Sequence, residues 1–437
     1  MDPTLINHPD PETRLAAVRA LGVSVKQGVT PTDEVNNHVH TIYSFSPYTP
    51  VAAAVKAAQA GLRAVGVMDH DSVSGCAEML AACRAIGIAS TAGFEMRVDM
   101  TGTALEGRKT NNPDTPNNSY MAIHGIPAGQ FEAARAFLAP MNAARIRRDR
   151  LQTDRLNEVL VGLGVEPIDF DRDIWAISQA ATGGSITERH ILYALALRLI
   201  KMHGKGATLV RFVRQNLNTE VPAKMEQALL DPGNPHYAYD LLGLFKSSLV
   251  PRFFIQPNAT ECISIYEAVK FALGIGAIPA YAYLGDVGES PTGDKKAEKF
   301  EDDYLDELIP ELKRIGFKAV TYMPPRNTLE QLARLQKLCC DNELMEISGV
   351  DINSSRQGFN CPIIMTPPFR HLTTATWALI AHEKLATLDP AYALFDPRNP
   401  LAGRPLKERI SRYAKAGCAI DPCHPEKAGD TIPLLGV

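Results

Sequence analysis

The stretch that decides the fold is TPVAAAVKAAQAGLRAVGVMDHDSVSGCAEMLAACRAIGIASTAGFE, residues 49–95. It opens with Thr49 and Pro50, which suit the cap and the first position of a helix, and the following apolar run stops at Gly61, a typical helix end. A strand of small and branched apolar residues comes next, followed by a second helix and a second strand. This alternation predicts parallel strands connected by helices.

The same alternation continues on both sides of a long interruption. Residues 119–127 indicate a further strand, and strands and helices alternate again from residue 260. About seven such units are enough to close a barrel, so we expect an α/β fold with a distorted seven-stranded (β/α) barrel. The later segments are helices at 260–276, 302–316 and 327–342, and strands at 277–286, 317–325 and 344–354.

The interruption has almost no β signals and several long helical patterns. We therefore predict an all-α domain inserted into a barrel loop, where insertions are tolerated. The predicted division is residues 1–33 as an N-terminal helix and linker, 34–127 with 259–437 as the discontinuous barrel, and 128–258 as the helical insertion.

The composition narrows the class of protein. The chain has 45 Lys and Arg against 49 Asp and Glu, and 45% of its 437 residues are hydrophobic. This near balance gives no global field that would attract nucleic acid or an anionic membrane. We find neither a secretory signal nor an apolar run long enough to span a membrane. The eight cysteines form no CxxC pair, so we expect reduced thiols and a cytoplasmic location.

Polar residues gather where the predicted strands end. His38 and His40 stand two apart and so point to the same side of a strand, while Glu95 and Asp351 close two other strands. A barrel brings such ends to one rim, where two imidazoles and two carboxylates would suit zinc, manganese or iron. Each feature alone has a structural explanation, because a histidine can cap a turn and a glutamate can lie in solvent. Their common position at one rim favours a metal site.

The order of these motifs resembles the polymerase and histidinol phosphatase (PHP) domain family. The HxH pair, a strand ending in DHD and a strand ending in GFE match that family over about residues 34–127, and residues 260–354 match more loosely. The resemblance implies a distorted seven-stranded barrel and up to three metal ions. It also implies hydrolysis of phosphoesters, usually by a metal-bound hydroxide.

The family's metal ligands carry over only in part. The resemblance assigns one site to His38, His40, Glu95 and Asp351. A third site falls on Phe45 and Asn353, neither of them the family's ligand, so only His70 of that site remains. A phenyl ring cannot coordinate a metal, and this sequence therefore predicts that the third ion is absent.

The second site of the family is also altered. One of its histidines falls near Tyr120, with His124 four residues further along the same face, and another falls on Tyr283. Tyrosine is a poor ligand for divalent metals but a good hydrogen-bond donor. We expect one tight metal site, with His124 contributing to a conditional second one.

Further roles follow from position along the sequence. We assign acid–base catalysis to His70, His124 and Asp71, without preferring either histidine as the general acid. The candidate substrate-binding residues are Arg97, Arg356, Tyr283, Asn353 and Arg189. Each arginine could equally form a surface salt bridge. Arg189 follows two glycines and lies in the first turn of a predicted helix, where an anion can bind.

The leading hypothesis is a metal-dependent phosphoesterase acting on a small phosphorylated metabolite or nucleotide. Two alternatives remain: hydrolysis of a C–N or carboxylic ester bond on the same metal centre, and a degenerate barrel that only binds a ligand. Residues 140–215 carry a net charge of +4 but lack interleaved aromatic residues, so they give no strong evidence for nucleic-acid binding. The sequence does not determine the oligomeric state.

Overall fold

A β-sheet that curves into a nearly closed barrel forms the centre of the molecule. The computed structural model describes residues 3–112, 115, 117–286 and 300–436. Its strands are β1 (Val35–Val39), β2 (Ala64–His70), β3 (Ala89–Asp99), β4 (Asn118–His124), β5 (Ile263–Ser264), β6 (Ile278–Ala282), β7 (Ala319–Tyr322) and β8 (Met345–Ser348).

Seven of these strands follow the barrel in the order β1-β2-β3-β4-β6-β7-β8, and the short β5 pairs with β3 outside this path. The two ends of the sheet meet just beyond β8, where Val39 bridges Ile352. The His40 amide donates to the Ile352 carbonyl at 2.9 Å, and the Ile352 amide donates to the His38 carbonyl at 3.1 Å. The predicted α/β class and distorted seven-stranded barrel are confirmed.

One strand runs against the predicted direction. β4 is antiparallel to both β3 and β6, whereas the other pairs along the barrel are parallel. The expected parallel arrangement therefore holds for the strand pairs along the barrel except the two that involve β4. An antiparallel neighbour can follow a strand through a short connection, without a crossover helix. The chain begins β4 at the rim where β3 ends, so His124 at the end of β4 lies deeper in the barrel.

Helices cover the barrel and make up the regular structure between β4 and β5 in the described residues. They are α1 (Pro11–Leu21), α2 (Pro50–Gln59), α3 (Cys76–Ile86), α4 (Phe131–Leu160), α5 (Glu188–His203), α6 (Ala207–Gln215), α7 (Ala223–Leu230), α8 (Tyr237–Ser248), α9 (Val250–Phe253), α10 (Ile265–Gly274), α11 (Leu305–Ile315), α12 (Leu329–Asp341), α13 (Arg370–Leu388) and α14 (Leu406–Ala419).

The two helices of the opening stretch begin and end for local reasons. Thr49 caps α2 by accepting a hydrogen bond from the Ala52 amide, and Pro50 occupies the first helical position. α3 ends at Gly87, whose φ of +74° places it in the left-handed region that glycine adopts without a Cβ clash. These helices pack on the adjoining strands and direct the carboxyl ends of β1, β2 and β3 to one rim.

The C-terminal part of α4 and the helices α5–α9 have a hydrophobic cluster of their own, whereas Ala134, Leu138 and Met141 near the start of α4 belong to the barrel cluster. Leu195, Leu241 and Phe245 are fully buried within the first of these clusters. Phe45 also belongs to this cluster, although its chain segment follows β1 of the barrel. The predicted helical character of residues 128–258 agrees with this arrangement, and the exact domain division stays a prediction.

Two further expectations concern the chain as a whole. Within the described ranges, no helix has both the length and the apolar character needed to cross a bilayer. All eight cysteines are free thiols, and five of them are buried. Cys339 and Cys340 lie in α12, as expected from the helical pattern around them.

Candidate metal centre

Four side chains predicted to share one metal converge at the rim of the barrel. Their positions follow from the strands, because His38 and His40 face one side of β1 while Val39 between them is fully buried in the core. The His40 Nε2 atom lies 3.3 Å from Glu95 Oε1 and 3.1 Å from Asp351 Oδ1. The His38 Nε2 atom lies 3.4 Å from Glu95 Oε2. The spatial convergence that the sequence predicted is therefore present.

His70 joins this cluster. Its Nδ1 atom lies 2.9 Å from Glu95 Oε1, and its ring centroid is 4.6 Å from that of His40. In each of two sets of residues, the potential ligand atoms all lie within 4.8 Å of one another. The first set is His38, His40 and Asp351, and the second is His40, His70 and Glu95. We predicted a catalytic role for His70, and the geometry also makes it a candidate metal ligand.

The buried nitrogen atoms fit a cation. In the described part of the chain, the Nε2 atoms of His38 and His40 have no hydrogen-bond partner, although carboxylate oxygens lie close by. Buried polar atoms are rarely left without a partner. A divalent ion between imidazole nitrogens and carboxylate oxygens would satisfy both, and this mixed donor set suits zinc, manganese or iron.

The charges of the cluster support the same conclusion. Burial alone would lower the pKa of His40, but the nearby Asp351 and Glu95 carboxylates outweigh it and raise that pKa to about 10. Burial would raise the pKa of Glu95, yet His70 and His38 hold it well below its usual value. The two carboxylates thus stay ionised and require positive charge, which a metal can supply in place of the His40 proton.

A hydrogen-bonded chain behind His40 orients its ring. The Nδ1 atom lies 3.2 Å from the Ser44 hydroxyl, which donates to Asp69 Oδ1 at 2.7 Å. Thr41 also donates to Asp69, through its amide and its hydroxyl, both at 2.6 Å. Partners of this kind fix which imidazole nitrogen faces a metal. The sequence analysis gave Ser44 and Thr41 no role, and only the DHD motif at the end of β2 pointed to Asp69.

His124 lies apart from this cluster because of the direction of β4. It pairs with Gly93, two residues before Glu95, and is not a member of either set of close ligand atoms. Burial and the nearby His38 lower the pKa of His124 to about 3, so its ring is neutral. Its Nε2 atom has no partner among the described residues. The assignment of His124 to a second metal site or to catalysis stays a prediction.

Tyr120 and Asn353 occupy positions where the family has metal ligands, and both lie next to residues of the cluster. Tyr120 pairs with Arg97 near the rim, and its ring centroid is 5.9 Å from that of His70. The Asn353 side chain donates to Asp351 Oδ1 at 2.7 Å. Asn353 therefore holds a candidate ligand, in addition to its predicted contact with substrate.

The candidate substrate-binding residues on the barrel are engaged elsewhere. Arg97 is buried, and its Nη2 atom lies 3.2 Å from Glu261 Oε1. Arg356 forms a two-pronged pair with Asp240, with Nη2 donating to Oδ2 at 2.6 Å. The Tyr283 hydroxyl donates to the carboxylate of Asp302, which lies in a helical turn just before α11. None of these three groups is free for a substrate in this arrangement.

At the other predicted anion site, α5 begins as expected after Thr187. The Thr187 amide donates to the Nδ1 atom of His190 at 3.1 Å, and Glu188 occupies the first helical position. The His190 side chain thus accepts a hydrogen bond at the start of α5, and the negative charge of Glu188 complements the positive end of the helix dipole. The geometry therefore does not favour an anion at this terminus, and the role of Arg189, which is partly exposed, stays a prediction.

Several of the basic residues at 140–215 are paired with acids. Arg148 donates to both oxygens of Glu261, at 2.7 and 2.8 Å, and to Glu188 at 2.8 Å. Arg145 donates to Glu261 at 3.1 Å, and Arg198 pairs with Glu166 and Asp173. Sequence reasoning missed the network of Arg97, Arg145, Arg148, Glu188 and Glu261, because its members are distant along the chain.

Comparisons with known proteins give a family match and similar solved structures. Residues 36–165 match the family model described as the PHP domain. A search of curated proteins gave no significant match. A similar solved structure, from Bifidobacterium adolescentis, is described as a proposed metal-dependent phosphoesterase, with 19% identity, a TM-score of 0.49, and coverage of 76% of this chain and 92% of that one.

A second similar structure is an amidohydrolase from Chromobacterium violaceum, described with bound sulfate and no metal. It is 18% identical, with a TM-score of 0.48, and the match covers 77% of this chain and 95% of that one. At these identities and TM-scores, neither structure bears on the chemistry of this chain.

Proposed function

We propose that this chain, which belongs to the PHP domain family through residues 36–165, is a metal-dependent hydrolase of small phosphoric esters. The observation that carries the proposal is the convergence of His38, His40, His70, Glu95 and Asp351, with two buried imidazole nitrogens left without hydrogen-bond partners in the described residues. A phosphorylated metabolite or a nucleotide is the proposed substrate.

The residues of the cluster divide into buried and accessible ones. The side chains of His40 and Glu95 are 0% and 8% exposed, whereas those of His70 and Asp351 are 22% and 34% exposed. His38, His40, Glu95 and Asp351 would hold the metal. When bound, the metal supplies a Lewis acid that polarises a phosphoryl oxygen and makes water acidic enough to react near neutral pH. His70 and Asp351 form the face that a substrate reaches.

Ser44 and Asp69 contribute indirectly. The Ser44 hydroxyl already donates its hydrogen to Asp69, so its oxygen can accept a hydrogen bond from the Nδ1–H group of His40. This leaves the lone pair of His40 Nε2 directed at the cluster. Asn353 similarly donates to Asp351 and limits its rotation. The second carboxylate oxygen of Asp351 remains available to a ligand or a water molecule.

The ion pairs formed by the candidate substrate-binding arginines leave room for a second reaction, hydrolysis of a C–N or carboxylic ester bond. Both Arg97 and Arg356 are paired with carboxylates, so neither offers an uncompensated charge to a phosphoryl group in this arrangement. The metal centre would equally suit hydrolysis of a C–N or carboxylic ester bond. The substrate screen must therefore include amides and carboxylic esters.

The decisive experiment combines metal analysis with a substrate screen. Purified protein would be analysed for bound metals and then assayed with manganese, zinc or iron on sugar phosphates, nucleotides, amides and carboxylic esters. We expect phosphate release that falls to background in His38→Ala and Asp351→Ala. The control is His424→Ala, which removes an exposed histidine paired with Glu426 near the C-terminus.

Each outcome has a distinct meaning. Hydrolysis confined to amides or carboxylic esters, and lost in the same two variants, would replace phosphoesterase by the second class. Metal binding without any hydrolysis would identify a binding protein. Folded protein that takes up none of the three metals would contradict the proposed centre.

A further inference from the structure

The turn that follows β2 has an unusual backbone. Asp71 comes directly after His70, and its φ is +48°, in the left-handed region that residues with a Cβ atom seldom adopt. Such conformations persist only where surrounding contacts hold them. The barrel supplies one such contact, from the Asp71 amide to the Glu95 carbonyl at 2.8 Å. The orientation of His70 therefore depends on the other contacts that keep Asp71 in this conformation.

The helical insertion supplies the other contacts. The Arg145 Nη1 atom lies 2.6 Å from Asp71 Oδ2, and the Asn142 side chain donates to the Asp71 carbonyl at 2.8 Å. The Ser185 hydroxyl donates to the His70 carbonyl at 2.6 Å. These residues come from α4 and from the segment before α5, so two parts of the insertion contact the turn.

The turn also donates a hydrogen bond to the insertion, and Arg145 has a second partner that holds it in place. The Ser72 hydroxyl donates to the Gly183 carbonyl at 2.7 Å. Arg145 is 4% exposed, and its Nε atom donates to Glu261 at 3.1 Å, next to β5. The guanidinium group thus bridges two barrel carboxylates and has little freedom to move away. Asp71 is paired with this guanidinium group, whereas Glu261 is also paired with Arg97 and Arg148.

We propose that Arg145, Asn142 and Ser185 are positioning residues through which the insertion sets the orientation of His70. The inference rests on the proposed function, because His70 matters as a member of the metal cluster. The residues act through the backbone of residues 70 and 71. A small shift there would move the His70 Nδ1 atom, which lies 2.9 Å from Glu95.

A purely structural role for these residues makes a different prediction. If they only attached the insertion to the barrel, their loss would lower stability but leave the metal cluster of folded molecules unchanged. If they position His70, folded variants should bind metal more weakly. Loss of an outer partner of a metal ligand typically costs about 10- to 100-fold in metal affinity.

The probe is Co²⁺, followed by its visible absorption spectrum and by titration at fixed pH. We expect Arg145→Met to weaken Co²⁺ binding by about 10- to 100-fold and to change the spectrum. The matched control is Arg147→Met, which changes an exposed arginine on the same helix and should leave binding unchanged. If Arg145→Met does not fold, the double variant of Asn142→Ala with Ser185→Ala takes its place.

A rescue variant distinguishes turn geometry from local charge. Glycine adopts positive φ without the steric cost of a Cβ atom, so Asp71→Gly should favour the same turn without Arg145. We expect this substitution, in the Arg145→Met background, to restore part of the lost Co²⁺ affinity and the original spectrum. Failure of the rescue, with the doubly substituted protein folded, would overturn a role through turn geometry.

Hydrogen exchange of metal-free protein keeps this inference separate from the proposed function. Amides at residues 70–74 should exchange faster in Arg145→Met than in Arg147→Met, whether or not any metal binds. Wild-type protein that bound no Co²⁺ would contradict the proposed function, and exchange at the turn would then decide the positioning role. Wild-type and Arg145→Met proteins with equal Co²⁺ affinity would overturn the inference and leave the function intact.

Discussion

At the scale of single residues, the Ser44 hydroxyl connects the metal cluster to the barrel framework. It lies between His40 Nδ1 and Asp69 Oδ1, at 3.2 and 2.7 Å. Ser44→Ala removes this link without removing any proposed ligand. We expect it to weaken metal binding by about 10- to 100-fold, because His40 loses the partner that fixes its tautomer. Calorimetric titration with zinc or manganese would measure the change.

Ser46 provides the matched control for this substitution. It is also buried, and its hydroxyl accepts a hydrogen bond from the Tyr48 amide at 3.4 Å, away from the histidines. Ser46→Ala should leave metal affinity unchanged. Equal affinities in the wild-type and Ser44→Ala proteins would show that the link does not orient His40.

Asp149 allows a prediction about pH. Its side chain is fully buried on α4, and its Oδ2 atom has no partner among the described residues. Burial, aided by the charge of Glu188 and opposed by Arg148 and Arg145, raises the pKa of Asp149 to about 8. In the unfolded chain the same carboxyl group loses its proton near its ordinary value of 3.8.

The sign of the effect follows from proton binding. Between about pH 4 and pH 8 the folded protein keeps this proton and the unfolded chain does not, so the contribution to stability falls as pH rises. The slope is at most about 1.4 kcal/mol per pH unit. Asp149→Asn should remove this slope in urea unfolding, whereas Asp154→Asn, at an exposed position of α4, should not. Parallel profiles of the wild-type and Asp149→Asn proteins would contradict the raised pKa.

The residues of the centre differ in how well the sequence predicted them. His38 and His40 were predictable because strand alternation alone places both on one side. Phe45 has no group that can coordinate a metal, and nothing in the sequence indicated its packing against His190, at a ring distance of 4.9 Å. Arg97 was judged only by its position near Glu95, and its partner Glu261 lies 164 residues away. Long-range partners of this kind leave no local signal.

At the scale of elements, the direction of β4 is the main difference between the expected and the observed sheet. Alternation of side chains is the same for a strand that runs up or down, so residues 119–127 predicted a strand without its direction. The reversal places Tyr120 near the rim and His124 two residues deeper than Glu95. The available signal was in the sequence, which gives no helical pattern between residues 99 and 118, whereas a parallel connection needs a crossover of a dozen or more residues, usually a helix.

The N-terminal helix α1 allows a prediction at this scale. Arg14 of α1 is 1% exposed and donates to both oxygens of Glu78 on α3, at 2.8 and 2.7 Å. Glu78→Gln leaves this buried guanidinium without its counter-charge. We expect the free energy of unfolding to fall by about 3–5 kcal/mol. Urea unfolding would measure the loss.

The controls separate charge compensation from packing. The exposed pair of Arg63 and Asp33, at 3.0 Å, should contribute at most about 1 kcal/mol when Asp33→Asn removes it. The double variant of Arg14→Met with Glu78→Leu should be less destabilised than Glu78→Gln, because no buried charge remains. A double variant as unstable as Glu78→Gln would indicate that α1 depends on the shape of the pair instead.

At the scale of the whole molecule, buried charges connect the barrel and the insertion. Glu261 lies next to β5 and receives hydrogen bonds from Arg97 of the barrel and from Arg145 and Arg148 of the insertion. Removing one partner would leave another charge uncompensated in a buried site. The insertion is therefore coupled to the strands that carry the metal cluster, and the stability of the two parts should change together.

Metal binding should consequently stabilise the whole molecule. A ligand that binds only the folded state at 100 times its dissociation constant adds about 2.7 kcal/mol to the free energy of unfolding. We expect thermal unfolding of chelator-treated protein to shift upward on addition of zinc or manganese. Hydrogen exchange should slow on α4, around Arg145, as well as at the strand ends of the barrel. His38→Ala and Asp351→Ala should abolish both effects, since each removes a proposed ligand. Protection confined to the barrel would show that the charge network does not transmit the stabilisation.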